Sequence, residues 1–127
     1  MIHFNFIASN TFDLDDLNSI ESFVNSFPDF QPVFLNNEGE LKLLFELLEI
    51  DYSSIDYIEN SEFTKYWNIS NSKLPEFNQA QFDLFYQKWI DKSSRNNNMD
   101  EYGSLLFLQG LSKTWNKLNH RFVVREN

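Results

Sequence analysis

This 127-residue sequence contains only two histidines, and the residue types that could carry catalysis match no common catalytic pattern in their spacing. The sequence contains no cysteine, which excludes disulfides, thiolate nucleophiles and cysteinyl zinc sites. Gly39, Gly103 and Gly110 are isolated, so no glycine-rich loop is present to cradle a phosphate. No serine lies in the sequence context of a nucleophile elbow. The sequence therefore favours a protein that is not an enzyme.

Two groups of residues resemble metal sites at first sight. His3 and His120 would meet if the two ends of the chain pair as strands, and Glu126 would then add a carboxylate. Histidines so far apart in sequence are more often structural. Residues 13–16, Asp-Leu-Asp-Asp, lack the 12-residue ligand spacing and central glycine of an EF-hand. We expect no metal ion and no cofactor.

Charge is the most informative property of the sequence. The net charge of −9 disfavours nucleic acids and anionic membranes as partners. Residues 1–62 contain 13 acidic residues and one lysine, whereas residues 63–127 contain 6 acidic and 9 basic residues. Such an asymmetry indicates either a charged partner or pairing of the two halves with each other.

Carboxylates and tyrosines occur together in residues 46–62. Carboxylates steer association with a cationic protein, and tyrosines supply contact area that becomes buried on binding. We therefore predict a partner-binding face formed by Glu46, Glu49, Asp51, Tyr52, Asp56, Tyr57, Glu59 and Glu62. In the alternative interpretation these acids pair inside the fold with Lys65, Lys88, Arg121 or Arg125.

Capping residues and helical periodicity predict most of the elements that must position this face. Asp13 is the predicted N-cap of a helix over 14–27, with Asp15 and Asp16 in its first turn. Capping-box patterns predict three further helix starts, Asn37-x-x-Glu40 for 38–50, Asn78-x-x-Gln81 for 79–92 and Asn98-x-x-Glu101 for 99–118. Phe77 and Phe82 add a hydrophobic staple to the second of these. Gly103 and Gly110 predict a close approach of another backbone to the last helix.

The remaining segments complete an α+β fold. Alternating or short apolar runs predict strands over about 2–7, 32–35 and 121–125. A weak pattern containing Ile58, Phe63 and Trp67 predicts an irregular or two-piece helix over about 54–67. The predicted fold is one globular domain over 1–127, in which a small sheet packs against four or five helices. If the first two strands are parallel neighbours, their connection is a right-handed crossover.

These features favour a small acidic protein-binding inhibitor that neutralises a basic partner. The commonest setting for such chemistry is an immunity protein for a nuclease-type bacterial toxin, because carboxylates satisfy the lysines and arginines of a nucleic-acid cleft. One alternative is an enzyme or small-molecule-binding domain with a dispersed site, and another is a regulatory subunit that uses helix 99–118 as its interface. We expect no secretory signal, because residues 1–7 lack a basic region and a small-residue cleavage site, and the sequence shows no apolar stretch of about 20 residues. We expect a cytoplasmic monomer or weak dimer without direct nucleic-acid or membrane contacts.

Overall fold

Helices and strands are mixed along the chain, as predicted for the α+β class. The computed structural model describes residues 2–8, 16–25, 33–69, 76–106 and 121–126. In order, the elements are β1 (Ile2–Ala8), α1 (Leu17–Asn25), β2 (Val33–Leu35), α2 (Glu38–Leu47), a 3-10 turn (Tyr52–Ser54), β3 (Asp56–Glu59), β4 (Lys65–Asn68), α3 (Gln79–Ser93), α4 (99–106) and β5 (Arg121–Glu126). No helix among these residues is long and apolar enough to cross a membrane.

The five strands form one antiparallel sheet in the order β2-β1-β5-β4-β3. The two ends of the chain therefore pair, and His3 lies opposite Glu126 in the β1–β5 register. Strands β1 and β2 are neighbours but antiparallel, so the condition for the predicted parallel crossover is not met. Strands β2 and β3 lie at the two edges of the sheet.

The main core lies between one face of the sheet and the helices α2, α3 and α4. The strand residues in this core are Ile2 and Phe4 of β1, Val33 and Leu35 of β2 and Trp67 of β4. The largest fully buried side chains from the helices include Phe45, Phe82 and Trp89. Ile20 of α1 and Tyr66 of β4 are buried outside this cluster. The side chain of Asn60 donates a hydrogen bond to Glu21, which ties α1 to the turn between β3 and β4.

The predicted helix over 54–67 is wrong, because this segment forms the β3–β4 hairpin after a short 3-10 turn. Asn60 makes the turn: its side-chain oxygen accepts hydrogen bonds from the backbone of Glu62 and Thr64. Phe63 occupies the left-handed region at φ 65° and is 65% exposed, whereas the prediction placed it within a helix. Apolar residues at these short spacings fit either a helix or two short strands.

The capping residues were predicted more accurately than the helix ends. Asn37, Asn78 and Asn98 each accept a hydrogen bond from the backbone three residues on. The capping box is complete only at α3, where Phe77 also contacts Phe82. Helix α1 begins at Leu17 with Asp16 as its cap, one turn later than predicted, and residues 13–15 lie outside the described residues. Helix α2 ends at Leu47, not at residue 50.

Among the described residues, Gly103 does not serve the close packing that the sequence predicted. A Cβ atom added at this position would meet no described atom within 4 Å beyond its chain neighbours and its own helix backbone, and Gly103 lies on the exposed side of α4. Gly110 and His120 lie outside the described residues, as does the predicted continuation of this helix over 107–118.

Candidate partner-binding face

The eight residues predicted to bind a partner lie on consecutive pieces of the fold. They occupy the end of α2, the 3-10 turn, the edge strand β3 and the β3–β4 turn. All six carboxylates among them are exposed, namely those of Glu46, Glu49, Asp51, Asp56, Glu59 and Glu62. The structure thus presents this acidic segment to solvent.

The two tyrosines of the face meet at a tryptophan that the sequence analysis had assigned to a helix. Trp67 lies opposite Tyr57 in the β3–β4 register, and their ring centroids are 4.8 Å apart. Tyr52 packs on the same indole at 5.1 Å and on Phe45 at 5.6 Å. We call Tyr52, Tyr57 and Trp67 the aromatic stack. Trp67 anchors this stack in the core, and Tyr57 remains 48% exposed at its outer end.

Two lysines lie within the face and neutralise part of its charge. The ammonium of Lys65 is 4.7 Å from the ring centroid of Tyr57 and 3.9 Å from the carboxylate of Glu59. Lys42 lies 5.3 Å from the ring centroid of Tyr52. The Glu59–Lys65 pair is one that the alternative interpretation had named, so internal pairing accounts for one carboxylate of the face.

Asp51 and Glu49 lie at the ends of helical segments and differ from the other carboxylates of the face in their local geometry. Asp51 caps the 3-10 turn, because its side chain accepts hydrogen bonds from the backbone and hydroxyl of Ser53. Glu49 has φ 60° at the end of α2, where its N–H donates to Glu46 and that of Ile50 donates to Phe45. This is the position that glycine favours, so the fold alone does not explain a glutamate there. Asp56 forms no ion pair with the side chains that the structure describes.

The predicted face did not include Trp67 and Lys65 of strand β4. The sequence signal for these strands is the two-residue spacing of Tyr57 and Glu59 and of Lys65 and Trp67, because residues two apart lie on the same face of a strand. In the structure Tyr57 lies opposite Trp67, and Glu59 lies opposite Lys65. The indole N–H of Trp67 is buried and lacks a hydrogen-bond acceptor among the described residues. An unsatisfied buried donor is unusual in a folded protein.

A second polar cluster, away from this face, is built around Arg95. Its guanidinium donates hydrogen bonds to both oxygens of Glu40 and of Glu101 and to the carbonyl of Phe34. Burial by itself lowers the pKa of Arg95, but its hydrogen bonds to Glu101 and Glu40 and the negative charges of these carboxylates outweigh burial, so the pKa is raised. The guanidinium lies 5.6 Å from the ring centroid of Trp89, whose N–H also donates to Glu101.

The Arg95 cluster forms one wall of a cavity of about 500 Å³. Its other walls include Val33, Asn98 and Ser104. The polar groups here already bind one another, because Asn98 caps α4 and Ser104 donates to the carbonyl of Asp100. The cavity therefore offers a small molecule few polar groups that are not already engaged.

Among the described residues, no group of three histidine, aspartate or glutamate side chains is arranged to hold a metal ion. The ring of His3 packs edge-on against Phe34 with a centroid distance of 4.8 Å. Comparison with known proteins gave no match, since no protein-family model, no curated protein and no solved structure matches this chain.

Proposed function

We propose that this chain is a small acidic protein-binding inhibitor that neutralises a basic partner, and that the partner is a nuclease-type bacterial toxin for which the chain is the immunity protein. The observation that carries the proposal is the row of exposed carboxylates beside an aromatic stack that is anchored in the core. In this proposal the protein acts in the cytoplasm and catalyses no reaction.

The two parts of the face have different roles in binding. Exposed carboxylates attract a cationic surface over about 8 Å at physiological ionic strength, which speeds the encounter. The aromatic stack supplies contact area that is already ordered, so little side-chain entropy is lost when Tyr57 becomes buried. Bound in this way, the protein would cover the lysines and arginines with which a nuclease binds DNA.

Glu49 supports a binding role in a different way. A residue other than glycine in the left-handed region costs about 1–2 kcal/mol, and departures of this kind cluster at functional sites. The exposed carboxylate of Glu49 gives the fold no hydrogen bond or ion pair among the described residues. A function in binding explains a glutamate at this position.

The proposal is tested with purified basic nucleases encoded next to the gene for this chain. We expect the chain to bind one of them and to inhibit its cleavage of plasmid DNA. The association rate measured by stopped-flow fluorescence should fall as NaCl is raised. Asp56→Lys should lower that rate and should not lower the thermal unfolding midpoint, because the structure pairs Asp56 with no described cation.

Asp91→Lys is the matched control, because it makes the same charge change at an exposed position on α3. Both variants alter the net charge equally, so only an effect confined to Asp56→Lys indicates the predicted face. Equal effects of the two variants would show that net charge alone matters. Unchanged binding with a lowered midpoint for Asp56→Lys would contradict the proposal and favour internal pairing.

A further inference from the structure

The two edges of the sheet differ in how their outward backbone groups are satisfied. Alternate residues of an edge strand turn their N–H and C=O groups away from the sheet, where another strand can pair with them. At β2, the carbonyl of Phe34 accepts a hydrogen bond from Arg95 at 2.7 Å, and the N–H of Asn36 donates to Glu40 at 2.6 Å. The ion pair between Glu40 and Arg95 thus occupies the place of a further strand.

Strand β3, at the opposite edge, has no such cover from the part of the chain that the structure describes. The N–H of Asn60 donates to the carbonyl of Thr64, so Asn60 and Thr64 form a hydrogen-bonded pair. Along an antiparallel hairpin, hydrogen-bonded pairs alternate with pairs whose backbone groups point away from each other. Asp56 and Ile58 therefore turn their backbone groups toward β4, and Tyr57 and Glu59 turn theirs outward. The structure pairs these outward groups with no other described residue.

We infer that β3 is the docking edge for an extended basic segment of the partner, which adds to the sheet as a sixth strand. This inference rests on the proposed function and specifies how the partner is held. Backbone hydrogen bonds to Tyr57 and Glu59 supply affinity, and the neighbouring carboxylates select lysine and arginine side chains. Because β3 has four residues, a segment of about four or five residues fills the edge.

Charge identifies the occupant of this edge. The strand carries Asp56 and Glu59 in exposed positions, and Asp51 and Glu62 flank it. Pairing of β3 with β3 of a second copy brings two acidic strands together, which like-charge repulsion disfavours. A cationic strand is attracted to these carboxylates instead.

The probe is the synthetic peptide acetyl-Lys-Val-Lys-Val-Lys-Val-Lys-amide. The control for its charge is a neutral peptide in which threonine replaces each lysine. Amide hydrogen exchange is followed by NMR on the intact chain. We expect the basic peptide to slow exchange of the Tyr57 and Glu59 amides about tenfold when bound. Exchange of the Ile58 amide, which already faces β4, should change little.

A pair of variants at Glu59 separates the backbone contact from the charge. Glu59→Gln removes the carboxylate and keeps the outward N–H, whereas Glu59→Pro removes both. Proline is tolerated on an edge strand where its nitrogen faces solvent. We expect Glu59→Pro to bind the peptide about fivefold more weakly than Glu59→Gln, the effect of one lost hydrogen bond. If Glu59→Pro fails to fold, the exchange measurement on the unaltered chain still decides.

Three outcomes would overturn the inference. Equal protection by the neutral peptide would show that the edge does not select a basic segment. Protection that rises with protein concentration in the absence of peptide would identify a second copy as the occupant. Salt-dependent binding of the nuclease without protection of Tyr57 and Glu59 would remove strand addition and leave the proposed function standing. The proposed function is contradicted by a different result, namely that none of the basic nucleases encoded next to the gene binds the chain.

Discussion

Arg95 connects three segments that are far apart in sequence. It binds the end of β2 through Phe34, the first turn of α2 through Glu40 and the first turn of α4 through Glu101. Its side chain is only 17% exposed, so these charged groups depend on one another and not on water. Removal of the guanidinium leaves both carboxylates buried without a compensating cation.

We expect Arg95→Ala to lower the free energy of unfolding by about 3–5 kcal/mol, because Glu40 and Glu101 then remain buried without a cation. The triple variant Arg95→Met, Glu40→Gln, Glu101→Gln should recover much of this loss, since no buried charge remains. Urea unfolding of the two variants measures both effects. A loss below about 1 kcal/mol for Arg95→Ala would show that the cluster is not coupled in this way.

Tyr102 is the residue from which we expect a measurable dependence on alkaline pH. Its hydroxyl donates to Asp83 at 2.8 Å and accepts from Gln79 at 2.9 Å. The hydrogen bond to Asp83, followed by burial, raises the pKa of Tyr102 above its ordinary value of 10.0. A raised pKa means that the stabilising effect is fully present below pH 10 and disappears as the pH rises through the higher value. NMR titration of the Tyr102 ring should show this, and Asp83→Asn should move the pKa back toward 10.

At the scale of elements, what could be predicted from the sequence depended on how local the signal was. The asparagine caps of α2, α3 and α4 were predicted because a cap and its helix are neighbours in sequence. The β3–β4 hairpin was missed because its turn contains no glycine. Asn60 replaces the usual turn signal with side-chain hydrogen bonds, and Phe63 adopts a positive φ.

The candidate site was predicted in part for the same reason. Its carboxylates are contiguous in sequence and could be recognised there. The position of Trp67 beside the two tyrosines depends on the pairing of β3 with β4. The location of β3 at the edge of the sheet depends on the pairing of β4 with β5, which lies more than 50 residues away in sequence. Glu40 and Glu101 were predicted to close capping boxes, but Arg95 draws both carboxylates into a tertiary cluster.

The end of α2 provides a test in which stability and binding should separate. Glu49 occupies the left-handed position of a Schellman-type end. We expect Glu49→Gly to raise the free energy of unfolding by up to about 1 kcal/mol, because glycine adopts this conformation without steric cost. The same variant should slow association with the basic partner. Glu46→Gly, inside the helix, is the control and should destabilise by about 1 kcal/mol.

At the scale of the whole molecule, the described ion pairs between the acidic and basic halves of the chain involve only some of the acidic residues. Glu40–Arg95 and Glu59–Lys65 each link an acid of the first half with a cation of the second. The exposed carboxylates of Glu46, Glu49, Asp56 and Glu62 form no ion pair among the described side chains. Repulsion within an uncompensated acidic surface destabilises the compact state.

We therefore expect the isolated protein to become more stable as NaCl is raised from about 0.01 M to about 0.15 M, over which the Debye length falls from about 30 Å to about 8 Å. The midpoint of urea unfolding measures the effect. Asp56→Lys should weaken the salt dependence because it removes part of the repulsion. A midpoint that instead falls with added salt would show that internal ion pairs outweigh repulsion, as the alternative interpretation requires.

The position of β5 has a consequence for how the protein is made. This strand joins β1 to β4, so without it the remaining strands form two separate pairs, β2–β1 and β4–β3. Residues 121–126 leave the ribosome after every other described element. The sheet therefore cannot be assembled during synthesis of the helices, and the contacts that complete it span most of the chain. Folding should be slow and should follow the synthesis of β5, with the apolar faces of both strand pairs open to chaperones until β5 inserts.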